Sequence, residues 1–298
     1  MSDQGPPQSD ADARARLELA AVAGLVGVIA AIVFVGWPGI DMAVSRLFNL
    51  GPRQFWLNGS DLADDLRSLF TLLTWMAGIA AVVGLVLAIA TRRHLFGFGL
   101  PQWLFLVLVV TLGPGLIANS VLKDNWERPR PLHIVEFGGP NQFTPVLERS
   151  GQCDHNCSFV SGEASSVFAL GFALAMLVRR RRAILMGATL GAGALIGFIR
   201  IGEGGHFLSD VVFAGVFMAL TVALLHWVVF GLLGARLRDE ARWHDLAVAA
   251  TGAFRRQASR ILTHSSEWIR RHRARGERFA ATSRARPGDD GEDPPSES

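Results

Sequence analysis

The chain has 298 residues, of which 50% are hydrophobic, and its mean hydropathy is +0.31. Its 29 Lys and Arg residues against 26 Asp and Glu residues give a net charge of +3. The apolar residues are gathered into runs too long for an ordinary soluble domain, and no nucleic-acid-binding motif accompanies the basic excess, so we exclude a nucleic-acid partner.

The elements in chain order predict an all-α integral membrane protein. Residues 1–16 are expected to form a disordered cytoplasmic N-terminus, followed by a six-span domain over 17–233 with outer loops at 38–68 and 123–160. The first span lacks a small-residue cleavage site after it, so we expect it to be retained. Six apolar runs reach or approach the length that crosses a bilayer: 17–37, 69–90, 101–122, 161–178, 183–199 and 207–233.

Two segments follow the last predicted span. Residues 234–275 combine many arginines with spaced apolar residues, a pattern that favours a basic amphipathic helix on the cytoplasmic membrane surface. A helix that docks on the protein's own loops is the alternative. Residues 276–298 are polar and contain prolines, so we expect a disordered tail.

Arginine placement predicts the orientation. With six spans, four arginine clusters all fall on one side: Arg14 with Arg16, Arg92 with Arg93, residues 179–182, and the C-terminal segment. Because cytoplasmic loops carry the excess of Lys and Arg, we expect both termini in the cytoplasm and the opposite loops in the periplasm. The basic C-terminal residues then also contact anionic lipid.

Charged residues at the predicted periplasmic ends of the spans form three clusters. The first holds Lys123, the only lysine of the chain, and Arg130, which lies between Pro129 and Pro131. The prolines stiffen the backbone around Arg130. A compact ammonium group and a planar guanidinium group together suit a phosphate.

The second cluster opens the fourth span with Ser161, Gly162 and Glu163. Ser161 is a natural helix N-cap, and the first backbone N–H groups of the helix would point at an anion. The third cluster contains Arg200, then a glycine-rich turn, His206 and Asp210. The last two share one helix face, where a carboxylate bonded to one imidazole nitrogen frees the other nitrogen to attack.

The order Lys-x6-Arg-Pro, then Ser-Gly at a helix start, then Arg-x5-His-x3-Asp resembles the type 2 phosphatidic acid phosphatase superfamily, over about residues 120–210. The resemblance implies six spans with the site on the outer face. It makes His206 a nucleophile that forms a phosphohistidine intermediate, and Asp210 the residue that orients it. It also implies that no metal or cofactor is needed, and that the phosphate is bound by Lys123, Arg130, Ser161, Gly162 and Arg200.

Three positions depart from the family pattern. Val160 replaces a proline, Ile199 replaces a serine, and Glu163 replaces the histidine that usually protonates the leaving group. We interpret Glu163 as the replacement acid, although a carboxylate that only interacts with the helix dipole is an alternative. His155 in the outer loop is a second candidate acid. We interpret Glu203 as structural or solvated.

Both cysteines of the chain, Cys153 and Cys157, fall in the second outer loop. On an oxidising side of the membrane they predict a disulfide. His155 between them also gives a Cys-x-His-x-Cys pattern that would suit zinc, and this alternative stays open.

The combined hypothesis is a metal-independent, multi-pass phosphatase that dephosphorylates a membrane lipid at the periplasmic face. The candidate substrates are lipid A, polyprenyl diphosphate and phosphatidate-type lipids. The resemblance favours lipid A, because it implies that subfamilies that act on lipid A can carry a Ser-Gly-Glu variant. A lipid phosphotransferase with the same intermediate and a non-catalytic phospholipid-binding or transport protein are the alternatives. The sequence gives no indication of oligomeric state.

Overall fold

The computed structural model describes residues 8–237, which are almost entirely helical. Strands β1 and β2 pair as a short antiparallel hairpin, and π-helical segments follow α4 and α8. The helices and strands of this range are α1 Gln8–Gly36, α2 Gly39–Phe48, β1 Asn49–Gly51, β2 Gln54–Phe55, α3 Asp61–Thr91, α4 Leu100–Val110, the π-helical segment Thr111–Lys123, α5 Asp124–Trp126, α6 Gly162–Leu177, α7 Arg182–Gly202, α8 Leu208–His226, the π-helical segment Trp227–Leu232 and α9 Gly234–Leu237, with 3-10 turns at Pro131–His133, Val135–Phe137 and Arg179–Arg181.

Five helical segments of the described chain are long and apolar enough to cross a membrane, which confirms the prediction of a helical membrane protein. The helix at the fourth predicted span, α6, has only 16 residues. At about 1.5 Å per residue it measures about 24 Å, less than the roughly 30 Å of a hydrocarbon core. The five segments are Asp10–Gly36, Asp61–Thr91, Leu100–His133, Arg179–Gly202 and Leu208–Leu232.

Helix α8 lies at the centre of the bundle. Of its apolar window 61% is buried, compared with 17% for α1 and for α3. Helices α1 and α6 pack on α8, α7 packs on α6, and α3 packs on α4. The outer faces of α1 and α3 carry large exposed apolar residues such as Leu25 and Leu72, as expected for surfaces that contact lipid.

A proline changes the helix that leads to Lys123. Pro114 lacks an N–H group and interrupts the regular pattern of backbone hydrogen bonds. The chain responds by forming the π-helical segment, in which the Asn119 side chain donates to the Pro114 carbonyl oxygen at 2.8 Å. Asn119 and Lys123 consequently both line the cavity described below.

Two predicted loop regions are more ordered than expected. Helix α1 begins at Gln8, so residues 8–16 are helical rather than disordered, since the three alanines and two arginines of this stretch favour helix. Asp12 pairs with Arg179 and Arg182, which fixes this helix end. Residues 38–68 contain α2, the hairpin and the first two turns of α3. The expected basic helix over 234–275 and the tail over 276–298 lie outside the described residues, except for α9.

The two outer loops pack against each other over the ends of the bundle. A cluster of buried apolar side chains joins them: Met42, Phe55, Ile134, Phe137 and Phe207. Backbone hydrogen bonds from Leu57 to Gly202 and from Leu132 to Gly204 attach both loops to the turn after α7. This packing fixes the segment that carries His206.

Candidate active site

A cavity of about 910 Å³ lies where α3, the π-helical segment after α4, α6 and α7 meet. It brings together six of the eight residues that the motifs single out. They are Lys123, Arg130, Gly162, Glu163, Arg200 and His206. The other two, Ser161 and Asp210, are fully buried beside this lining. Three motifs that are distant in sequence therefore form one site.

Asn156 holds the two cations of the first motif. The Lys123 ammonium group donates to the Asn156 side-chain oxygen at 3.2 Å. Arg130 donates to the Asn156 backbone carbonyl oxygen from Nε at 3.0 Å and from Nη2 at 2.7 Å. Because these acceptors are uncharged, the contacts with Asn156 do not neutralise either cation.

The N-terminus of α6 forms the wall next to Lys123. Ser161 has the extended backbone of an N-cap, but its buried hydroxyl makes no hydrogen bond within the described chain. Gly162 comes so close to Asn119 that a Cβ atom would lie 2.7 Å from Oδ1, and 3.2 Å from Lys123 Nζ. A helix N-terminus with a free hydroxyl beside an ammonium group is suited to an anion.

His206 lies at the polar end of the cavity with its imidazole oriented by backbone. Its Nδ1 is 2.7 Å from the Ser158 carbonyl oxygen, which can only accept, so Nδ1 carries the proton and Nε2 has its lone pair free. The expected direct bond to Asp210 is absent, since Oδ2 lies 3.8 Å from Nδ1. Asp210 instead accepts from the Ser158 hydroxyl at 2.5 Å and from the Phe207 N–H at 2.8 Å.

The surroundings of His206 keep the imidazole neutral. Burial is the largest cause, and the nearby charges of Arg200 and Lys123 act in the same direction, so the pKa of His206 falls from 6.5 to about 4. The Asp210 carboxylate opposes this shift without reversing it. A neutral imidazole has the free lone pair that a nucleophile requires.

A buried ion-pair network beneath Asp210 has no counterpart in the motif analysis. Arg128 is fully buried and donates to Asp210 at 2.6 Å, to Asp41 at 2.8 Å and to Ser209 at 2.9 Å. Its guanidinium also lies 4.3 Å from the ring centre of Phe207. Asp41 comes from the first outer loop, too far along the chain for spacing to reveal it.

On the other side of the site, the guanidinium groups form ion pairs with carboxylates. Glu163 Oε2 lies 2.7 Å from Arg200 Nε, and Glu203 pairs with Arg200 as well. Arg67, which the sequence analysis placed in a loop, bonds both oxygens of Glu203 at 3.1 Å and lies 3.8 Å from Glu163. Glu203 is therefore buried and paired, so the structural interpretation holds and the solvated one is wrong.

The cavity continues from these charges into the apolar part of the bundle. Along α3 its lining runs from Arg67 to Val83, about 24 Å at about 1.5 Å per residue. Trp75 and Ile79 line it and are also 69% and 61% exposed. The cavity thus opens sideways on the surface expected to face lipid.

Cys153 and Cys157 are joined by a disulfide, so neither sulfur is available as a thiolate ligand and the zinc alternative is wrong. Across residues 8–237, no group of three or more His, Cys, Asp and Glu side chains is arranged to hold a metal ion.

Comparison with known proteins gives a family match over residues 102–233, to the PAP2 superfamily. A lipid A 4'-phosphatase of Francisella tularensis subsp. novicida is 42% identical over 130 residues, which cover 43% of this chain and 57% of that protein. The lipid A 4'-phosphatase of Rhizobium leguminosarum is 35% identical over 60% of this chain and 83% of its own length. That of Rhizobium etli is 32% identical over 60% and 75%. No solved structure matches the chain.

Proposed function

The chain belongs to the PAP2 superfamily, and we propose that it is a membrane phosphatase that removes the 4'-phosphate from lipid A or a closely related glycolipid. The main observation in support of the proposal is that a single cavity has a charged end and an apolar end. Its polar end has four cationic side chains beside His206, namely Arg67, Lys123, Arg130 and Arg200, and its other end is an apolar groove that opens on the exposed apolar face of α3. A phosphorylated lipid matches both ends, whereas a soluble phosphate ester would leave the groove empty.

His206 Nε2 is the proposed nucleophile. It attacks phosphorus, the bond from phosphorus to the lipid oxygen breaks, and a phosphohistidine forms. The developing negative charge on the phosphoryl oxygens is stabilised by Lys123, Arg130 and Arg200, with the Ser161 hydroxyl as a further donor. Water then attacks the phosphohistidine, and inorganic phosphate leaves.

Glu163 is the proposed general acid. Its ion pair with Arg200 suggests how substrate binding would release its carboxyl group. A substrate phosphate competes with the Glu163 carboxylate for the same guanidinium group. Once displaced, the Glu163 side chain is free to carry a proton to the substrate. That proton passes to the departing lipid oxygen, and the carboxylate takes a proton from the attacking water in the second step.

Variants at position 163 test this role. Glu163→Gln cannot donate an acidic proton, so we expect kcat to fall about 10²-fold or more. The same change removes the competitor for Arg200, so KM should not rise. Glu163→His should retain part of the activity. An unchanged kcat in Glu163→Gln would rule out the acid role.

We propose that the site faces the periplasm, and ion pairs at the opposite end of the bundle support this orientation. Asp12 in α1 pairs with Arg179 and Arg182 between α6 and α7, so these ends lie together, away from the cavity. Their arginines support a cytoplasmic location for that end, with six crossings and a periplasmic site. A reporter active only in the periplasm, fused after Ser298, should remain inactive; an active reporter would contradict this orientation.

Product analysis tests the reaction class. Purified protein in detergent, without added metal, should release inorganic phosphate from lipid A and leave the 1-phosphate in place. The panel should also contain a polyprenyl diphosphate and a phosphatidate. Transfer of the phosphate to an added acceptor lipid instead of water would contradict the hydrolase proposal and favour the phosphotransferase. Release from phosphatidate alone would overturn the choice of lipid A.

A further inference from the structure

The disulfide-closed segment 153–157 makes direct contact with the two cations of the first motif. Asn156 has a left-handed backbone conformation, with φ of 52°, and lines the cavity. It accepts one hydrogen bond from Lys123 and two from Arg130. Within residues 8–237 these are the only side-chain hydrogen bonds that Lys123 and Arg130 make.

The contacts differ in which part of Asn156 they use. Lys123 binds the side-chain oxygen, whereas Arg130 binds the backbone carbonyl oxygen. The position of Lys123 thus depends on the identity of residue 156, and the position of Arg130 depends on the path of the backbone there. The disulfide between Cys153 and Cys157 restricts that path because it closes a loop of only a few residues.

The neutral acceptors at Asn156 have a further consequence. Arg200 is paired with the carboxylates of Glu163 and Glu203, so part of its charge is compensated before a phosphate arrives. Lys123 and Arg130 repel each other, and an amide oxygen with a carbonyl oxygen holds them close without cancelling their charge. A carboxylate in the same place would compete with the phosphate.

We infer that Asn156 is a positioning residue that holds Lys123 and Arg130 at the spacing a phosphate requires, and that the Cys153–Cys157 disulfide maintains this arrangement. The inference rests on the proposed function in taking these two cations as phosphate ligands. It makes phosphate affinity dependent on the oxidised state of the loop. It also predicts the relative size of the losses in phosphate affinity. Loss of the Asn156 side chain removes one hydrogen bond, whereas opening of the disulfide weakens all three.

The test measures the affinity of the full-length protein in detergent for inorganic phosphate, from the rise in melting temperature with phosphate concentration, alongside KM and kcat for lipid A. Asn156→Ala should bind phosphate about tenfold more weakly, since it loses one hydrogen bond to a charged group. Asn156→Asp, almost identical in size, should bind more weakly still. Reduction of the wild type should weaken binding at least as much as Asn156→Ala. Asn58→Ala, at an exposed asparagine outside the cavity, is the matched control and should match the wild type.

The Cys153→Ser/Cys157→Ser double variant checks the source of the redox effect, because reductant should not change its affinity further. Unchanged phosphate affinity in reduced wild type, with both thiols shown to be free, would overturn the inference. So would an Asn156→Asp variant that binds phosphate as tightly as Asn156→Ala, since a purely structural role is insensitive to the added charge. If the double variant does not fold, reduced wild type and the Asn156 variants decide. If the protein hydrolyses lipid A but neither reduction nor the Asn156 variants change its phosphate affinity, the positioning role is refuted and the proposed function is not.

Discussion

Replacement of Arg128 by methionine is the most demanding test of the buried network. Methionine keeps much of the aliphatic length of arginine but removes the guanidinium group, which is fully buried between Asp41 and Asp210. Both carboxylates are at most 1% exposed, so water cannot replace the lost partner. Arg128→Met therefore leaves two uncompensated negative charges beneath the nucleophile.

The expected decrease in the free energy of unfolding follows from these contacts. Loss of one partner from a buried ion pair costs about 3–5 kcal/mol, and here one guanidinium serves two carboxylates. Folded domains are stable by about 5–15 kcal/mol, so the variant should retain only part of the free energy of unfolding. Replacing Asp41 by Asn in the same chain removes one stranded charge, so the double variant should be more stable than Arg128→Met alone.

Denaturant unfolding of the protein in detergent measures the effect, with Arg46→Met as the control because Arg46 is an exposed arginine on the same helix as Asp41. The control should lie within about 0.5 kcal/mol of the wild type. An Arg128→Met variant as stable as this control, or a double variant less stable than the sum of its single changes, would refute the ion-pair account.

Two further predictions concern the cavity. Because the folded pKa of His206, about 4, lies below its ordinary value of 6.5, its contribution to stability is present above pH 6.5 and lost as pH falls through about 4. Melting curves between pH 7.5 and 4 should thus show the wild type losing about 3 kcal/mol more than His206→Asn, and equal losses would contradict the buried neutral imidazole. Gly162→Ala should raise KM about tenfold, since its Cβ would displace Asn119 and Lys123, with little change in melting temperature. A normal KM would show that this wall does not contact the phosphate.

The fold could largely be predicted because apolar length is a local property. The span at 207–233 matches the α8 segment within one residue, and the span at 69–90 ends one residue before α3 does. The start of α3 was missed by eight residues because Asp61, Asp64 and Asp65 are polar and resemble a loop, although acidic residues also favour a helix N-terminus.

The candidate site could be predicted only where motif spacing carries the information. His206 and Arg200 line one cavity with Lys123, as the three motifs indicate. Arg67, Asn156 and the Asp41–Arg128 pair were missed, because each contributes through tertiary contacts that join distant segments. The partner of the His206 imidazole was also missed, since a backbone carbonyl leaves no trace in side-chain spacing.

The central claim is that His206 transfers the phosphate of a lipid, and trapping of the intermediate tests it most directly. Lipid A labelled with ³²P at the 4' position should be mixed with the protein in detergent, quenched within one turnover in alkali, and the protein digested and sequenced by mass. The account predicts an alkali-stable, acid-labile phosphate on the peptide that contains His206, together with release of inorganic phosphate, and neither with His206→Ala. Phosphate release by His206→Ala at the wild-type rate, or label on a different residue, would contradict it.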